Sequence, residues 1–266
     1  MDREAVARSG AGESGSQLAR LGSMFLSPGR TFGEIARRPT IAVVLVAMAL
    51  AGALAATAVS RASDLDAMVQ YTWQQQTENM PGSFSRNMSE ADRARALDAT
   101  RTGLRLTRNL APVVGGLGGA LAPVVASAVL LLVFGIFGSP GSYRGILSTV
   151  AHAWWPAAAA SSALTTVVVW LSHPMAPERA GAPLRVNLAA AFPDSAGVAT
   201  ALAGRVDLFL AWELALLGIG LAMTLGISRR RSFAVAFGFW ALASAGAAGV
   251  ALVSGLLNFG FSAGPA

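Results

Sequence analysis

Residues 40–60 read TIAVVLVAMALAGALAATAVS, twenty-one residues without one ionisable side chain. At a helical rise of ~1.5 Å per residue this run measures about 31 Å, matching a hydrocarbon core of ~30 Å. Lipid offers no partner for an open backbone amide, so such a run has to be helical. The pattern recurs at about 110–137, 146–171, 206–227 and 233–257. The second and fifth stretches also lack ionisable groups; the third holds only His152, and the fourth holds Asp207 near its start and Glu213 well inside. The expected fold is all-α: a polytopic integral membrane protein built as a bundle of five transmembrane helices.

Composition agrees. Hydrophobic residues make up 54% of the 266 positions and charged residues 13%, with a mean hydropathy of +0.54. A soluble domain carries roughly 25% charged residues, so this chain lacks the polar surface of an ordinary soluble enzyme, a disordered tail or a nucleic-acid-binding domain. All 20 basic residues are arginine. The net charge of +6 is read as arginines anchoring loops to anionic head groups rather than as a nucleic-acid footprint. With no cysteine there is no disulfide, iron–sulfur cluster or thiolate zinc site. No metal and no cofactor are expected.

The chain divides into a disordered N-terminus (1–20), a juxtamembrane amphipathic segment (21–39), the five-span domain (40–257) and a short tail (258–266). Extramembrane loops are expected at 61–109 and 172–205. The first span is read as uncleaved, because 39 residues precede it and its apolar core exceeds the 7–15 residues of a signal peptide. Arginine density orients the chain. With the N-terminus inside, the inner segments hold 10 arginines in 52 residues and the outer segments 10 in 92. Arg37-Arg38 before the first span and Arg229-Arg230-Arg231 before the fifth decide for an N-terminus in the cytoplasm and a C-terminus outside. In loop 61–109, Leu65, Met68, Val69, Trp73 and Gln76 stand at helical spacing. Ser89 and Asp92 form a capping-box-like start to a second helix that runs into span two. Asp92 with Arg95 and Asp98 with Arg101 are expected to pair along it.

Span two contains the cluster Gly115, Gly116, Gly118 and Gly119. A phosphate-binding loop is excluded, since the chain has no lysine and no strand precedes the glycines. Gly115 and Gly119 instead give the small-xxx-small spacing of close helix packing, and Ala245 and Gly249 repeat it in span five. Pro112 is placed in the first turn of span two, where it costs little; Pro123 is the candidate kink. His152 and His173 have no carboxylate at ligand spacing, and His152 is read as structural beside Trp154 and Trp155. No nucleophile elbow occurs, so no enzyme is expected.

Glu213 is the one carboxylate deep in a span. A charge there costs at least ~2.5 kcal/mol, so it is expected to be neutral, paired or facing a cavity. Spans three and four are expected to be antiparallel neighbours. On that alignment Glu213 faces Ser161, Ser162, Thr165 and Thr166 and hydrogen-bonds one of their hydroxyls.

Three stretches together resemble a known family. Met24-Phe25-Leu26-Ser27-Pro28-Gly29-Arg30-Thr31-Phe32, followed by Ile35 and Pro39, resembles the juxtamembrane approach of bacterial Ypt-interacting protein (Yip) domain proteins. Gly141 to Leu147 followed by Ala151-His-Ala-Trp-Trp-Pro156 is similar to their short loop and proline-bearing third span. Asp207, Phe209 and Trp212 resemble their fourth-span pattern. The resemblance covers about residues 20–257 and implies a five-span membrane adaptor. The resemblance implies adaptors whose eukaryotic members bind prenylated GTPases and carry a long acidic cytosolic N-terminal region; that region is not found here, so a small-GTPase partner is not expected. The expected function is therefore a non-enzymatic scaffold or accessory subunit in the cytoplasmic (inner) membrane, with the lipid bilayer and an unidentified membrane protein as partners. The alternative is a transporter or permease-type subunit using Glu213 and a kinked second span. A polar path across the bundle would favour the transporter, and a dry Gly/Ala-packed interior the scaffold.

Overall fold

The computed structural model of the chain describes residues 17–78, 88–136, 141–180, 183–184, 187–188, 203–204 and 206–262, without the side chains of 247 and 250–262. The expectations for residues 1–16, for most of loop 172–205 and for the end of the tail lie outside these residues. Nine helices are described: α1 (17–26), α2 (Pro28–Arg37), α3 (Ala42–Ser60), α4 (Leu65–Glu78), α5 (Glu90–Ile136), α6 (Tyr143–Leu171), α7 (Pro177–Ala180), α8 (Leu208–Leu225) and α9 (Arg229–Ser262). The β structure among the described residues is one isolated bridge, Asn187 to Asp207. Four helices, α3, α5, α6 and α8, are long and apolar enough to cross a membrane. The expected fifth span, 233–257, falls within α9, and its side chains beyond 249 lie outside the described residues.

The boundaries follow local chemistry. The Ser89 hydroxyl caps α5 by accepting from the Asp92 N–H at 3.2 Å and donates to the Asp92 carboxylate at 2.6 Å. From there α5 runs 47 residues, about 70 Å. The extramembrane helix and span two are thus one rod. Pro112 therefore stands deep inside a helix and not in a first turn. Helix-forming residues before it and the packing of α4 alongside carry the helix through one lost hydrogen bond. Arg95 pairs with Asp92 at 3.5 Å as expected. Arg101 turns instead to Asp66 of α4, a partner in space that the i,i+3 spacing to Asp98 does not reveal. Gly226, at φ 65°, ends α8 in the left-handed region that glycine adopts without strain, and the chain turns into α9.

Helix α3 lies between α5 and α6, α8 packs on α6 and α9, and α2 lies against α8. The best-packed core sits where α2, α5, α6 and α8 meet, around Phe32, Ile35, Leu130, Phe134, Ile146, Val150, Leu217 and Leu221. At the opposite end Val69 and Trp73 bury one face of α4. Residues 62–63 are tied to the α6–α7 connection: the Met175 N–H donates to the Ala62 carbonyl and the Ser63 hydroxyl to the Met175 carbonyl, each at 2.7 Å.

Asp64 starts α4 by accepting the Asp66 and Ala67 amides at 2.8 and 3.1 Å. These backbone donors favour the ionised carboxyl and hold its pKa below the ordinary 3.8. A depressed folded pKa contributes stability above the unfolded value, and that contribution is lost as pH falls through the folded one. Asp64→Ala should therefore speed hydrogen exchange at the first amides of α4 at pH 6. The wild type should approach the variant as pH falls well below the ordinary 3.8. An equal difference at both pH values would show that the ionised cap does not set the start of α4.

Candidate functional site

Three groupings of side chains stand out from ordinary core. The first is the seam between α3 and α5. A Cβ placed on Gly115 would strike the Gly52 carbonyl oxygen and the Ala56 Cβ, and one on Gly119 would strike the Met48 carbonyl oxygen. A Cβ on Gly116 would lie 3.3 Å from the Ala49 carbonyl oxygen. The structure thus sets Gly115 and Gly119 directly against the α3 backbone, where only glycine leaves room. Gly52 is the third member, since its own Cβ would strike the Gly115 carbonyl oxygen. It is the lone glycine of the first span, a signal present in residues 40–60. Ala245 and Gly249, which share the spacing, do not pack this way: both are exposed and a Cβ on Gly249 would meet nothing within 4 Å. Helix α9 packs on α8 near its start, through Phe233 against Gly218, and leaves those positions uncovered.

The second grouping is a helical elbow formed by α1 and α2. Arg20 on α1 lies at the level of the first span's start, its guanidinium donating to the Arg38 carbonyl at 3.3 Å and the Thr40 hydroxyl at 3.2 Å. Further along, Phe25 meets Trp212 of α8 edge to face, with ring centroids 5.7 Å apart. The chain turns at Ser27-Pro28, proline being suited to a helix's first position. It then returns with Phe32 against Gly220 and Gly33 against Met223. Two polar contacts join the arms: the Ser23 and Thr31 hydroxyls share a hydrogen bond of 2.7 Å, and Arg20 faces Glu34 at 3.5 Å. Trp155 of α6 donates its indole N–H to the Leu21 carbonyl at 3.2 Å, and the Ser148 hydroxyl donates to the Thr40 carbonyl at 2.8 Å. The segment expected at 21–39 is thus amphipathic but doubled back, and helix already holds at residue 17. The Arg20–Glu34 contact spans fourteen positions, so no local spacing announced it.

The third grouping surrounds Glu213. Glu213 lines a cleft of about 520 Å³ together with Gly118, Leu121, Val125, Trp154, Leu217 and Phe239 among others. Among the described residues it has no hydrogen-bond partner and no ion pair. The expected bond to Ser162, Thr165 or Thr166 is not formed. Spans three and four are neighbours, but Thr149 donates to the Thr224 hydroxyl at 3.0 Å and abuts Gly220. That register places Glu213, seven residues before Gly220, opposite about residue 156, one to two turns short of Ser162. Aligning the loop ends of the spans misplaces it; the contact near the other ends sets the register. The hydroxyls turn to their own helix instead, Thr166 donating to the Ser162 carbonyl at 2.8 Å and Ser161 to the Ala158 carbonyl at 3.3 Å. His152 is 2% exposed with Nδ1 2.7 Å from the Ser148 carbonyl, a core position away from Glu213's cleft. Among the described residues no three His, Asp or Glu side chains are grouped to hold a metal ion.

A helical bundle with several apolar rods, a glycine seam and an amphipathic elbow at one end defines a polytopic α-helical membrane protein. Within that class the sequence model of the Yip1 domain matches residues 22–250, and the chain belongs to this family. No curated protein and no solved structure matches the chain.

Proposed function

We propose that this Yip1-domain protein is a non-enzymatic scaffold or accessory subunit of the cytoplasmic membrane, crossing it five times with its N-terminus inside. The observation that supports this best is the seam in which Gly52, Gly115, Gly116 and Gly119 bring two helix backbones into contact. Rigid packing of this kind suits a fixed platform, whereas alternating access requires elements that separate. Among the described residues the cleft beside Glu213 is almost wholly apolar and no second carboxylate lines it. The α4–α5 appendage extends the bundle by about 30 Å beyond span two and supplies surface for a protein partner.

Purification in mild detergent, followed by mass spectrometry, should recover a stoichiometric membrane-protein partner. Reporters should read as cytoplasmic at Gly12 and extracytoplasmic after Ala266. A lone chain that carries a pH-driven solute flux in liposomes, lost in Glu213→Gln, would overturn the scaffold reading in favour of a transporter. Both reporters on one side would overturn the five-span count.

A further inference from the structure

The cleft beside Glu213 does not end there. A second apolar hollow of about 280 Å³ adjoins it at Phe239 and continues between α5 and α9 to Leu130 and Val133. Helix α9 packs on α8, and the two hollows, which share Phe239, lie in line between α5 and α9 and are together called the furrow below. From Gly118 to Val133 it follows fifteen residues of α5, about 22 Å, roughly three quarters of a ~30 Å hydrocarbon core. Along its α8 wall, between Leu210 and Leu217, stands Glu213, five residues into α8 and with no partner among the described residues. A buried hydroxyl, Ser244 Oγ, also lacks a partner among the described residues and follows the furrow-lining Ala243 on α9.

An apolar furrow lined by a half-buried carboxyl that makes no hydrogen bond among the described residues suits an occupant that is an alkyl chain along its length and a hydrogen-bond donor at its head. A carboxylate takes an ammonium more strongly than a neutral donor, because the hydrogen bond is charge-assisted. We propose that this furrow is a binding site for a lipid with a primary ammonium head group, the ammonium donating to Glu213 and one acyl chain lying between α5 and α9. The proposal rests on the membrane-protein assignment and not on the scaffold role, so its failure leaves the partner and topology tests untouched.

The full chain, in nanodiscs of equimolar phosphatidylethanolamine and phosphatidylglycerol, is released for native mass spectrometry. One phosphatidylethanolamine per chain should stay bound, at least tenfold over phosphatidylglycerol. Exchange for phosphatidylcholine, whose quaternary head has no N–H, should lose that retention without any substitution in the protein. Glu213→Gln should bring the preference close to one, and Ala122→Trp, which fills the furrow, should release the lipid. Equal retention of the three lipids would overturn the proposal, as would unchanged preference in a folded Glu213→Gln. A dimer abolished by Ala122→Trp would assign the furrow to a second copy and also overturn it.

Discussion

Gly115→Leu and Gly119→Leu should each leave little folded protein in mild detergent, and Gly115→Ala alone should lower the unfolding temperature by about 5–10 °C. The added Cβ would strike a backbone carbonyl, that of Gly52 for Gly115 and of Met48 for Gly119, and a backbone cannot rotate aside as a side chain does. Overpacking costs about 1–3 kcal/mol where neighbours can shift, and this contact lies at the upper end because α3 itself has to move. About 1 kcal/mol corresponds to 2–4 °C in a chain of this size. Gly118 supplies the internal control. It belongs to the same cluster, yet a Cβ there would meet nothing within 4 Å. Gly118→Ala should leave stability unchanged or raise it slightly, since alanine favours a helix by up to about 1 kcal/mol. Thermal unfolding followed by size-exclusion chromatography reads all four variants. Equal losses for Gly118→Ala and Gly115→Ala would show that helix propensity or lipid contact, and not the α3 approach, governs the cluster.

Arg20→Ala should release the elbow from the bundle. Arg20 joins α1 to Glu34 of α2 and to the Arg38–Thr40 link, and its side chain is 11% exposed. Removing one partner of a fully buried pair costs about 3–5 kcal/mol. Glu34 is 35% exposed, so solvent offsets part of that and about 1–3 kcal/mol is the expected loss. The absence of cysteine makes a direct readout possible. Met24 is fully buried between the elbow and the core, so Met24→Cys should resist a maleimide reagent in the parent chain. In the Arg20→Ala background that thiol should react at least tenfold faster, whereas Arg30→Ala, which removes a side chain 83% exposed, should leave the rate unchanged. Fast labelling of Met24→Cys with Arg20 in place would mean the elbow is not docked.

Much of the architecture could be read along the chain, because a membrane makes strict local demands. An uncharged run near 20 residues in lipid has one acceptable backbone, so the first four spans were legible one at a time, as was the α4 helix from the spacing of Val69 and Trp73. The glycine pair in span two announced a close approach by its spacing, and the capping serine at position 89 announced where the long rod begins. What faces what could not be read in this way. Partner and register depend on sums of weak contacts between distant segments, and these decided that Gly115 meets Gly52 and that a Cβ on Gly249 would meet nothing within 4 Å among the described residues. The same contacts turned Arg101 to Asp66 and Arg20 to Glu34, pairings with no local periodicity. Glu213 shows the division most clearly. Its exceptional place in an apolar span was evident from composition, while its setting followed from the Thr149–Thr224 register, which moves it a turn or more from the hydroxyls and opens it to the furrow. Local chemistry thus determined which segments are helices and where they start; the packing of helix on helix determined what each polar side chain finds, since only there do residues far apart in the chain compete for the same space.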